Sequence, residues 1–422
     1  MQTHITTELL NTAQGKRVDE ILRKCVHCGF CTATCPTYQL LGNELDSPRG
    51  RIYQIKQMFE GLPVDRETQL HLDRCLSCRS CETTCPSGVN YAELVDIGRA
   101  HIEELGVRPL GEKLIRKLLG QILPYPSRHQ WLFKLGVMMR PLLPSRLRKK
   151  VPQIRQSTHY SDYQVTPFKT VLLLEGCVQS SISPNTNAAA SLLLKSHGYQ
   201  LIRETSASCC GAVNQHLSQT EKAEQWILKN LQQWSDIDAR HTLDAIVSSA
   251  SGCGVMLKDY EHIVARMNPF PEQSEYLSLC DKIVDVSELL NVELLQKNLA
   301  QFQPSQQRIA YHAPCTLTHG QAKADALHQQ LSHLGYQLDI PQDAHLCCGS
   351  AGTYSILQAD ISQRLQKNKI TALTANSPEL IITANVGCEH HLDSASDVPV
   401  RHWVELLADD IQRCLKASNP ES

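Results

Sequence analysis

Residues 25–36 read CVHCGFCTATCP, and residues 75–86 read CLSCRSCETTCP. Both stretches have the pattern Cys-x2-Cys-x2-Cys-x3-Cys-Pro, which is typical of bacterial ferredoxins with two [4Fe–4S] clusters. Three thiolates at this spacing lie on one tight loop and reach different irons of one cluster, whereas the fourth, followed by proline, turns away to the other cluster. The sequence therefore predicts two clusters. Their ligands are Cys25, Cys28, Cys31 and Cys85 for cluster 1, and Cys75, Cys78, Cys81 and Cys35 for cluster 2.

A pair of zinc sites is the alternative interpretation of these cysteines, since Cys-x2-Cys also binds zinc. Structural zinc sites use two separated Cys-x2-Cys pairs, whereas here a run of four cysteines ends in Cys-Pro and occurs twice, which favours iron–sulfur clusters. Between the runs, RGRIYQIKQMFEGL places Ile52, Ile55, Phe59 and Leu62 at helical spacing. This amphipathic pattern predicts a helix, and therefore a helical rather than a hairpin-built ferredoxin domain.

A second system of cysteines follows, and it is repeated. Cys177 and Cys209 have the same separation as Cys315 and Cys347. In both copies the second cysteine opens a Cys-Cys-Gly motif and a later apolar run ends in Gly-Cys, so the repeat indicates a duplicated domain. Four thiolates per copy suffice for a further cluster or a zinc ion, and a redox-active thiol pair is the alternative. The candidate residues are Cys177, Cys209, Cys210 and Cys253, then Cys315, Cys347, Cys348 and Cys388.

Strand and helix signals alternate in each copy. The apolar runs TVLLLEGC and RIAYHAPC predict buried strands that end near the first cysteine, and a third strand leads to the last cysteine. NTNAAASLLLKSHG and ALHQQLSHLG predict helices that stop at Gly198 and Gly335. The predicted fold class is α/β, with an N-terminal α-helical ferredoxin domain and two duplicated α/β Cys-Cys-Gly domains. We expect a ferredoxin domain at 1–105, a basic amphipathic linker at 106–165, and Cys-Cys-Gly domains at 166–300 and 301–422.

Composition excludes several classes of protein. The chain has 422 residues and a formal net charge of −2, which argues against a nucleic-acid-binding protein. No apolar run is long enough for a membrane span, and MQTHITTELL lacks the features of a secretory signal, so we expect a cytoplasmic protein. Eighteen cysteines in such a chain indicate metal or redox chemistry, because cytoplasmic disulfides are rare. G-x-G-x-x-G and P-loop motifs are absent from the sequence, and no flavin site is evident.

The predicted linker has an apolar face and a basic character. The apolar face consists of Leu114, Ile115, Leu118, Leu119, Ile122 and Leu123. The basic residues are Arg108, Lys113, Arg116, Lys117, Arg128, Lys134, Arg140, Arg146, Arg148, Lys149 and Lys150, set against the single acid Glu112. Together with Trp131, Phe133, Met138 and Met139, they resemble an anchor at a membrane interface. An amphipathic linker packed on the other domains is the alternative.

The paired cysteine runs followed by two Cys-Cys-Gly domains resemble the iron–sulfur subunits of flavin-dependent 2-hydroxyacid dehydrogenases. The stretches CVHCGFCTATCPTYQLLGNELDSPRGRIY, CRSCETTCPSGV, LEGCVQSSISPNTN, SGCG, HLCCGSAGTY and TANVGCEHHL are similar to the glycolate oxidase (glycolate dehydrogenase) type. The resemblance implies FAD-binding partner subunits that oxidise glycolate, or alternatively D-lactate. Electrons then pass through this chain to quinone at the cytoplasmic side of the bacterial inner membrane, with peripheral membrane contact and no catalysis by this chain alone.

Related subunits of lactate or glycerol 3-phosphate dehydrogenases share this architecture, and a heterodisulfide-reductase-like thiol protein is a further alternative. Domains of that last type end in Cys-x2-Cys, whereas Met256 and His391 replace the final cysteine here, which disfavours a five-cysteine cluster. His390 or His391 is either a ligand or part of a solvent-facing pair. Cys280 and Cys414 lie outside every motif and are expected to be buried apolar residues. In SPRGR, Arg49 and Arg51 either neutralise cluster charge or flank a turn.

Overall fold

The computed structural model describes residues 1–139, 158–161, 163–203 and 209–418. They form two compact units, each assembled from several stretches of the chain. The first unit comprises Met1–Gly120, Val213–Thr220 and His345–Lys369, and the second comprises Gln121–Ala212, Glu221–Ala344 and Ile370–Ser422.

The first unit is helical. Its helices are Thr7–Leu10, Ala13–Lys24, Phe30–Ala33, Pro36–Leu41, Pro48–Phe59, Arg66–Asp73, Ser80–Thr83, Tyr91–Leu105, most of Leu110–Ile122, most of Ala212–His216, Tyr354–Leu357 and most of Ala359–Leu373, with a 3₁₀ turn at Glu44–Asp46. The described part of this unit contains no strand, so the prediction of a helical ferredoxin domain is confirmed. Its core is made of fully buried side chains that include Val18, Ile21, Leu22, Ile55, Phe59, Leu72, Leu94 and Val95.

The predicted helix between the cysteine runs spans Pro48–Phe59. Ser47 caps it, because its Oγ accepts a hydrogen bond from the Gly50 amide at 2.9 Å and Pro48 occupies the first turn. Ile52, Ile55 and Phe59 are buried as predicted. Leu62 is not on this helix and is 49% exposed, because the chain turns at Gly61 with φ of +84°.

Two four-stranded parallel sheets build the second unit. The first contains β1 (Lys169–Leu174), β2 (Tyr199–Arg203), β3 (Ala245–Ser248) and β4 (Ile283–Asp285) in the order β2-β1-β3-β4. The second contains β5 (Ile309–His312), β6 (Leu338–Asp339), β7 (Leu380–Thr383) and β8 (Val400–His402) in the order β6-β5-β7-β8. All their pairings are parallel, with Val171 beside Ala245 and Ala310 beside Ile381 in the two central pairs. The identical strand order confirms the duplicated α/β domain.

Helices connect these strands, as parallel pairing requires, and further helices precede β1 and follow β8. They are Pro126–Met139, Gln179–Ile182, Pro184–Ser196, most of Thr220–His241, Ser251–Arg266, Gln273–Asp281, Val292–Asn298, Ala324–His333, Val386–Asp393 and Trp403–Ser418. A 3₁₀ helix at Val286–Leu289 and a π turn at Thr316–Gly320 complete the unit. The two predicted helix ends are confirmed, since Gly198 and Gly335 follow the corresponding helices with φ of +80° and +100°.

Among the described residues, no helix has both the length and the apolar character that crossing a membrane requires.

Candidate iron–sulfur sites

The eight cysteines of the N-terminal runs line two cavities in the first unit. A cavity of about 430 Å³ is lined by Cys25, Cys28, Cys31 and Cys85, and Cys81 also reaches its wall. A second cavity, of about 290 Å³, is lined by Cys35, Cys75, Cys78 and Cys81. Each cavity thus combines three cysteines of one run with the fourth cysteine of the other, which is the grouping that the spacing predicts.

Left-handed backbone turns shape the loops that carry these thiols. In the first run, His27 and Gly29 have φ of 56° and 84°, and in the second run Ser77 and Arg79 have φ of 50° and 60°. A short helix follows each turn, Phe30–Ala33 and Ser80–Thr83. A side chain at Gly29 would also meet Nη1 of Arg49 at 2.8 Å, so glycine suits that position on two grounds.

The chemistry of the thiols fits a bound metal cluster. Burial raises the pKa of the Cys31 thiol to about 11 and raises the pKa of the Cys81 thiol well above its usual value, and neighbouring cysteines add to both shifts. A bound metal would hold such thiols deprotonated. All eight are free of disulfides, as are the other ten cysteines of the chain.

Polar groups surround the cysteines of the second cavity. Oγ1 of Thr37 lies 3.2 Å from Sγ of Cys35, and both terminal nitrogens of Arg51 donate to that oxygen at 3.2 Å. Nε of Arg51 donates to the His71 carbonyl at 2.7 Å, and its guanidinium lies 3.5 Å from the Asp46 carboxylate. Arg51 is 1% exposed. These contacts support the interpretation of Arg51 as a neutralising charge near a cluster.

Cys75 has polar neighbours of its own. The hydroxyl of Tyr91 donates to its Sγ at 3.7 Å, and Nη2 of Arg99 donates to its carbonyl at 2.6 Å. Arg99 is 5% exposed and also donates to Leu72 O and to Oγ of Ser77.

The first cavity is nearer to the surface. Cys28 is exposed, and the neighbouring side chains of Val26 and Phe30 are 67% and 60% exposed. Arg49 lines this cavity, but its Nε donates to Glu44 at 2.8 Å and its side chain is 36% exposed. The two arginines of SPRGR therefore belong to different cavities and differ in burial.

The four cysteines of the first Cys-Cys-Gly copy form one group in the second unit. The Cys209 thiol is hydrogen-bonded to those of Cys177 and Cys210, and the Cys253 thiol is hydrogen-bonded to that of Cys210. These bonds, together with burial, raise the pKa of Cys209 and of Cys253 well above the usual value for a thiol. A cavity of about 370 Å³ lies beside Cys210 and Cys253.

Three side chains on the wall of this cavity hold polar atoms without a hydrogen-bond partner among the described residues: Gln179 (Oε1), Asn230 (Oδ1) and Trp234 (Nε1). Each of these residues is at most 3% exposed. The nitrogen atoms of the two amides are used, since Asn230 donates to the Cys209 carbonyl at 2.9 Å and Gln179 donates to Asn187 at 2.6 Å. Buried polar atoms of this kind normally have a partner, so the cavity is built to hold a further group.

The third strand of each copy leads to the last cysteine as predicted, since β3 and β7 precede the helices Ser251–Arg266 and Val386–Asp393, whose first turns contain Cys253 and Cys388. One expectation about the copies needs correction. His390 is not solvent-facing, since its Nε2 is 2.7 Å from Oγ of Ser183. Met256 is buried and packs with Cys210 in an apolar cluster.

The second copy contains a candidate metal ligand that the sequence analysis did not identify. A ring nitrogen of His312 and Sγ of Cys388 lie within 4.8 Å of each other, and both residues are buried. The Nδ1 atom of His312 lies 2.9 Å from Oγ1 of Thr383 on the neighbouring strand, and this contact fixes the orientation of the ring. The signal was present in RIAYHAPC, where His312 takes the position that Leu174 holds in the first copy.

The other cysteines of this copy differ in burial. Cys315 lies three residues after the end of β5 and is partly exposed, whereas Cys347 and Cys348 are buried. Cys280 and Cys414, which lie outside the motifs, are buried among apolar side chains as expected.

Two of the basic residues of the linker are buried in the structure. Arg108 donates to the Asp73 carboxylate at 2.5 and 3.0 Å, and Arg116 lies 3.7 Å from the same group; both arginines are buried. The apolar side of this segment is exposed in part: Leu110, Leu114, Ile115, Leu118, Trp131 and Met138 are between 46% and 84% exposed. Arg140, Arg146, Arg148, Lys149 and Lys150 lie outside the described residues.

Two thiol-lined cavities in a helical domain, together with two parallel sheets that carry Cys-Cys-Gly loops, define an iron–sulfur electron-transfer protein. A 4Fe-4S dicluster domain family matches residues 21–89, and a cysteine-rich domain family matches residues 171–258 and 309–393. The chain belongs to the family of glycolate oxidase iron–sulfur subunits. These matches confirm the fold class, the iron–sulfur cofactors, the duplicated domain and the membership of an oxidoreductase system.

Relatives that match along nearly the whole chain show this family membership. The chain is 44% identical to the glycolate oxidase iron–sulfur subunit of Escherichia coli (strain K12), over 98% of this chain and 100% of the relative. It is 30% identical to the probable glycolate oxidase iron–sulfur subunit of Bacillus subtilis (strain 168), over 88% and 89% of the two chains. It is also 21% identical to one subunit of the dihydromethanophenazine:CoB--CoM heterodisulfide reductase of Methanosarcina barkeri, over 96% and 97%.

Proposed function

We propose that this chain is the electron-transfer subunit of a flavin-dependent glycolate dehydrogenase complex, which converts glycolate to glyoxylate. The observation that carries the proposal is that the eight cysteines line two cavities, each with three cysteines of one run and the fourth of the other, in a chain that resembles a glycolate oxidase subunit along nearly its whole length. FAD on partner subunits removes a hydride, and this chain accepts the two electrons one at a time and delivers them to quinone.

The proposed ligand sets follow the two cavities. Cluster 1 is held by Cys25, Cys28, Cys31 and Cys85, and cluster 2 by Cys35, Cys75, Cys78 and Cys81. Each [4Fe–4S] cluster supplies a site that gains or loses a single electron. The protein residues hold the thiolates in place and provide hydrogen bonds to them.

The cysteine-rich domains are proposed to hold a further metal centre. In the first copy, Cys177, Cys209, Cys210 and Cys253 already form one hydrogen-bonded group, which suits a cluster or a zinc ion. In the second copy, Cys315, Cys347, Cys348 and Cys388 stay candidates for metal or redox chemistry. His312 adds an imidazole donor next to Cys388.

Peripheral contact with the cytoplasmic side of the inner membrane is proposed for the helix Leu110–Ile122. Its side chains Leu110, Leu114, Ile115 and Leu118 are exposed, and Lys113 and Lys117 supply positive charge on the same helix. Exposed apolar residues beside lysines are typical of helices that bind at an anionic lipid surface. This arrangement would bring the complex to its quinone acceptor.

The test uses the whole complex, purified without oxygen, with glycolate, D-lactate or glycerol 3-phosphate as substrate. In the Cys28→Ala and Cys78→Ala variants, substrate should still reduce the flavin, while cluster signals and reduction of a quinone analogue should be lost. Cys414→Ala is the matched control and should retain both steps. Oxidation of glycolate by this chain in isolation would contradict the proposed division of labour, and a preference for another substrate would favour a related dehydrogenase.

A further inference from the structure

We infer that the second cavity holds the cluster of higher reduction potential, so that electrons run from cluster 1 to cluster 2. This inference rests on the proposed ligand sets. The transfer moves one electron from reduced cluster 1 to oxidised cluster 2, and no bond breaks or forms. Arg51, Thr37 and Arg99 act as positioning residues that stabilise the additional negative charge on cluster 2.

A chain of contacts runs from Arg51 to Cys35. The Thr37 hydroxyl lies 3.2 Å from Sγ of Cys35 and also donates to the Asp46 carbonyl at 3.0 Å, so its single hydrogen is shared between these two acceptors when Cys35 is a thiolate. Two nitrogens of Arg51 donate to the same hydroxyl oxygen and polarise it. Hydrogen bonds to ligand sulfurs raise the potential of an iron–sulfur cluster, because they stabilise the more negative reduced state.

The charges around Arg51 do not balance. Its carboxylate neighbour, Asp46, also lies 3.1 Å from Arg74, and the His71 ring lies 2.9 Å from it. Two arginines therefore share one acid, which leaves positive charge beside the second cavity. Because Arg51 is almost completely buried, water screens this charge only weakly.

Cys75 also has a hydrogen-bonding and a cationic neighbour. Arg99 holds the Cys75 carbonyl, and Tyr91 donates to the Cys75 thiol. Arg99 is also buried, with Asp96 at 3.8 Å. Two of the four cysteines of the second cavity, Cys35 and Cys75, thus have a hydroxyl group within hydrogen-bonding distance of their sulfur. A buried arginine lies close to each of these two cysteines.

The first cavity differs in its cations rather than in hydrogen bonding to sulfur, since the backbone N–H groups of His27 and Arg49 donate to the Cys25 and Cys31 thiols. Arg49 is paired with Glu44 and is more than a third exposed, so its charge is both balanced and screened. The amino group of Met1 donates to the Cys25 carbonyl at 2.6 Å from a partly exposed position. Burial by itself would make cluster 2 harder to reduce, since it disfavours added charge. The buried arginines oppose that effect at the second cavity, and nothing comparable in burial stands by the first among the described residues.

The cover over each cavity agrees with this direction. The first cavity, which would hold cluster 1, is bordered by the exposed residues Cys28, Val26 and Phe30, where an electron donor could approach. On the Cys75 side, the hydroxyl of Tyr354 donates to the Arg74 carbonyl at 3.0 Å. Burial raises the pKa of this hydroxyl, and negative charge on Cys75 or on Cys347 raises it further. Electrons that reach cluster 2 therefore arrive next to the second Cys-Cys-Gly loop.

The experiment is a potentiometric titration of the full complex followed by EPR. Thr37→Val keeps the side-chain volume and removes the hydroxyl, and Arg51→Gln removes the charge. Both variants should lower the higher of the two reduction potentials measured for the unmodified protein and leave the lower one unchanged. For Thr37→Val we expect a change of about tenfold in the equilibrium constant for electron transfer between the two clusters, which for one electron corresponds to about 59 mV. Arg51→Gln should cause a larger change. Arg49→Gln is the matched control and should leave the higher potential where it is.

The outcomes separate the inference from the function on which it rests. If the unmodified complex lacks two cluster signals, the proposed ligand sets are wrong. If both signals are present but Thr37→Val moves the lower potential, or moves neither, the inferred order is overturned. Should Arg51→Gln fail to assemble, the Thr37→Val variant decides the question alone.

Discussion

Nη1 of Arg108 lies 2.5 Å from Oδ2 of Asp73, and both side chains are buried. Asp73 also has Arg116 at 3.7 Å and accepts a hydrogen bond from Gln69 at 2.9 Å. Burial alone would raise the pKa of Asp73, but the hydrogen bond and charge of Arg108, together with Arg116, hold it below the usual value. This carboxylate is therefore the centre of the charged group that ties helix Arg66–Asp73 to the segment that follows Leu105.

We expect Asp73→Asn to destabilise the protein strongly, because it leaves two buried arginines without their carboxylate. Loss of one partner from a buried ion pair costs about 3–5 kcal/mol. Thermal unfolding of the oxygen-protected protein, followed by circular dichroism and by cluster absorption, measures the effect. Glu20→Gln, at a surface pair with Arg17, is the control and should change stability much less. Equal effects of the two substitutions would contradict this prediction.

The same group predicts how stability depends on pH. The pKa of Asp73 is lower in the folded protein than in the unfolded chain, so its contribution is complete above the unfolded pKa. The contribution is lost as the pH falls through the folded pKa. Unfolding temperatures measured from neutral to acidic pH should therefore fall more steeply for the unmodified protein than for Asp73→Asn. Parallel curves for the two proteins would show that Asp73 does not supply this dependence.

A metal centre in the first Cys-Cys-Gly copy should depend on the hydrogen-bonded thiols. We expect Cys209→Ser and Cys253→Ser to lower the metal content of the anaerobic protein by one centre, because each removes a thiolate from the group of four. Elemental analysis and EPR of the two N-terminal clusters, which should persist, give the measurement. Cys280→Ser, at a buried cysteine outside the motifs, is the matched control. Unchanged iron and zinc in the first two variants would leave the thiol–disulfide interpretation.

The pairing of His312 with Cys388 predicts a metal role for an imidazole. We expect His312→Gln to weaken metal retention in the second copy about 10–100-fold if the ring is a ligand or orients one. Dialysis against a chelator, followed by metal analysis, measures retention. His390→Gln, at a histidine bound to Ser183, serves as the comparison and should retain metal. The opposite ranking of the two variants would assign the role to His390.

Membrane contact through Leu110–Ile122 is tested with vesicles that contain anionic lipid. The double change Leu114→Glu and Ile115→Glu should reduce binding at low salt by at least tenfold, since burying each large apolar side chain is worth about 1.5–3 kcal/mol. Leu62→Glu, at another exposed leucine of the same unit, is the control. Binding that is unaffected by the double change would leave the helix as an amphipathic linker.

Much of the site was predictable because it depends on short spacing. The Cys-x2-Cys-x2-Cys runs place three thiols on one loop whatever surrounds them, and the vicinal cysteines marked the duplicated domain. His312 was missed because a histidine at a strand end has no distinctive spacing. The pairing of Arg108 and Arg116 with Asp73 could not be predicted, because this acid lies far from them in sequence.

Spacing and periodicity along the chain predict the cysteine motifs, the grouping of the eight N-terminal thiols, the helical insert, the repeat and the parallel α/β pattern. Packing in three dimensions decides that Arg51 is buried behind Cys35 while Arg49 is at the surface, and that His312 lies beside Cys388. Such relationships join residues distant in sequence, and they depend on how helices and strands pack, which no local pattern specifies.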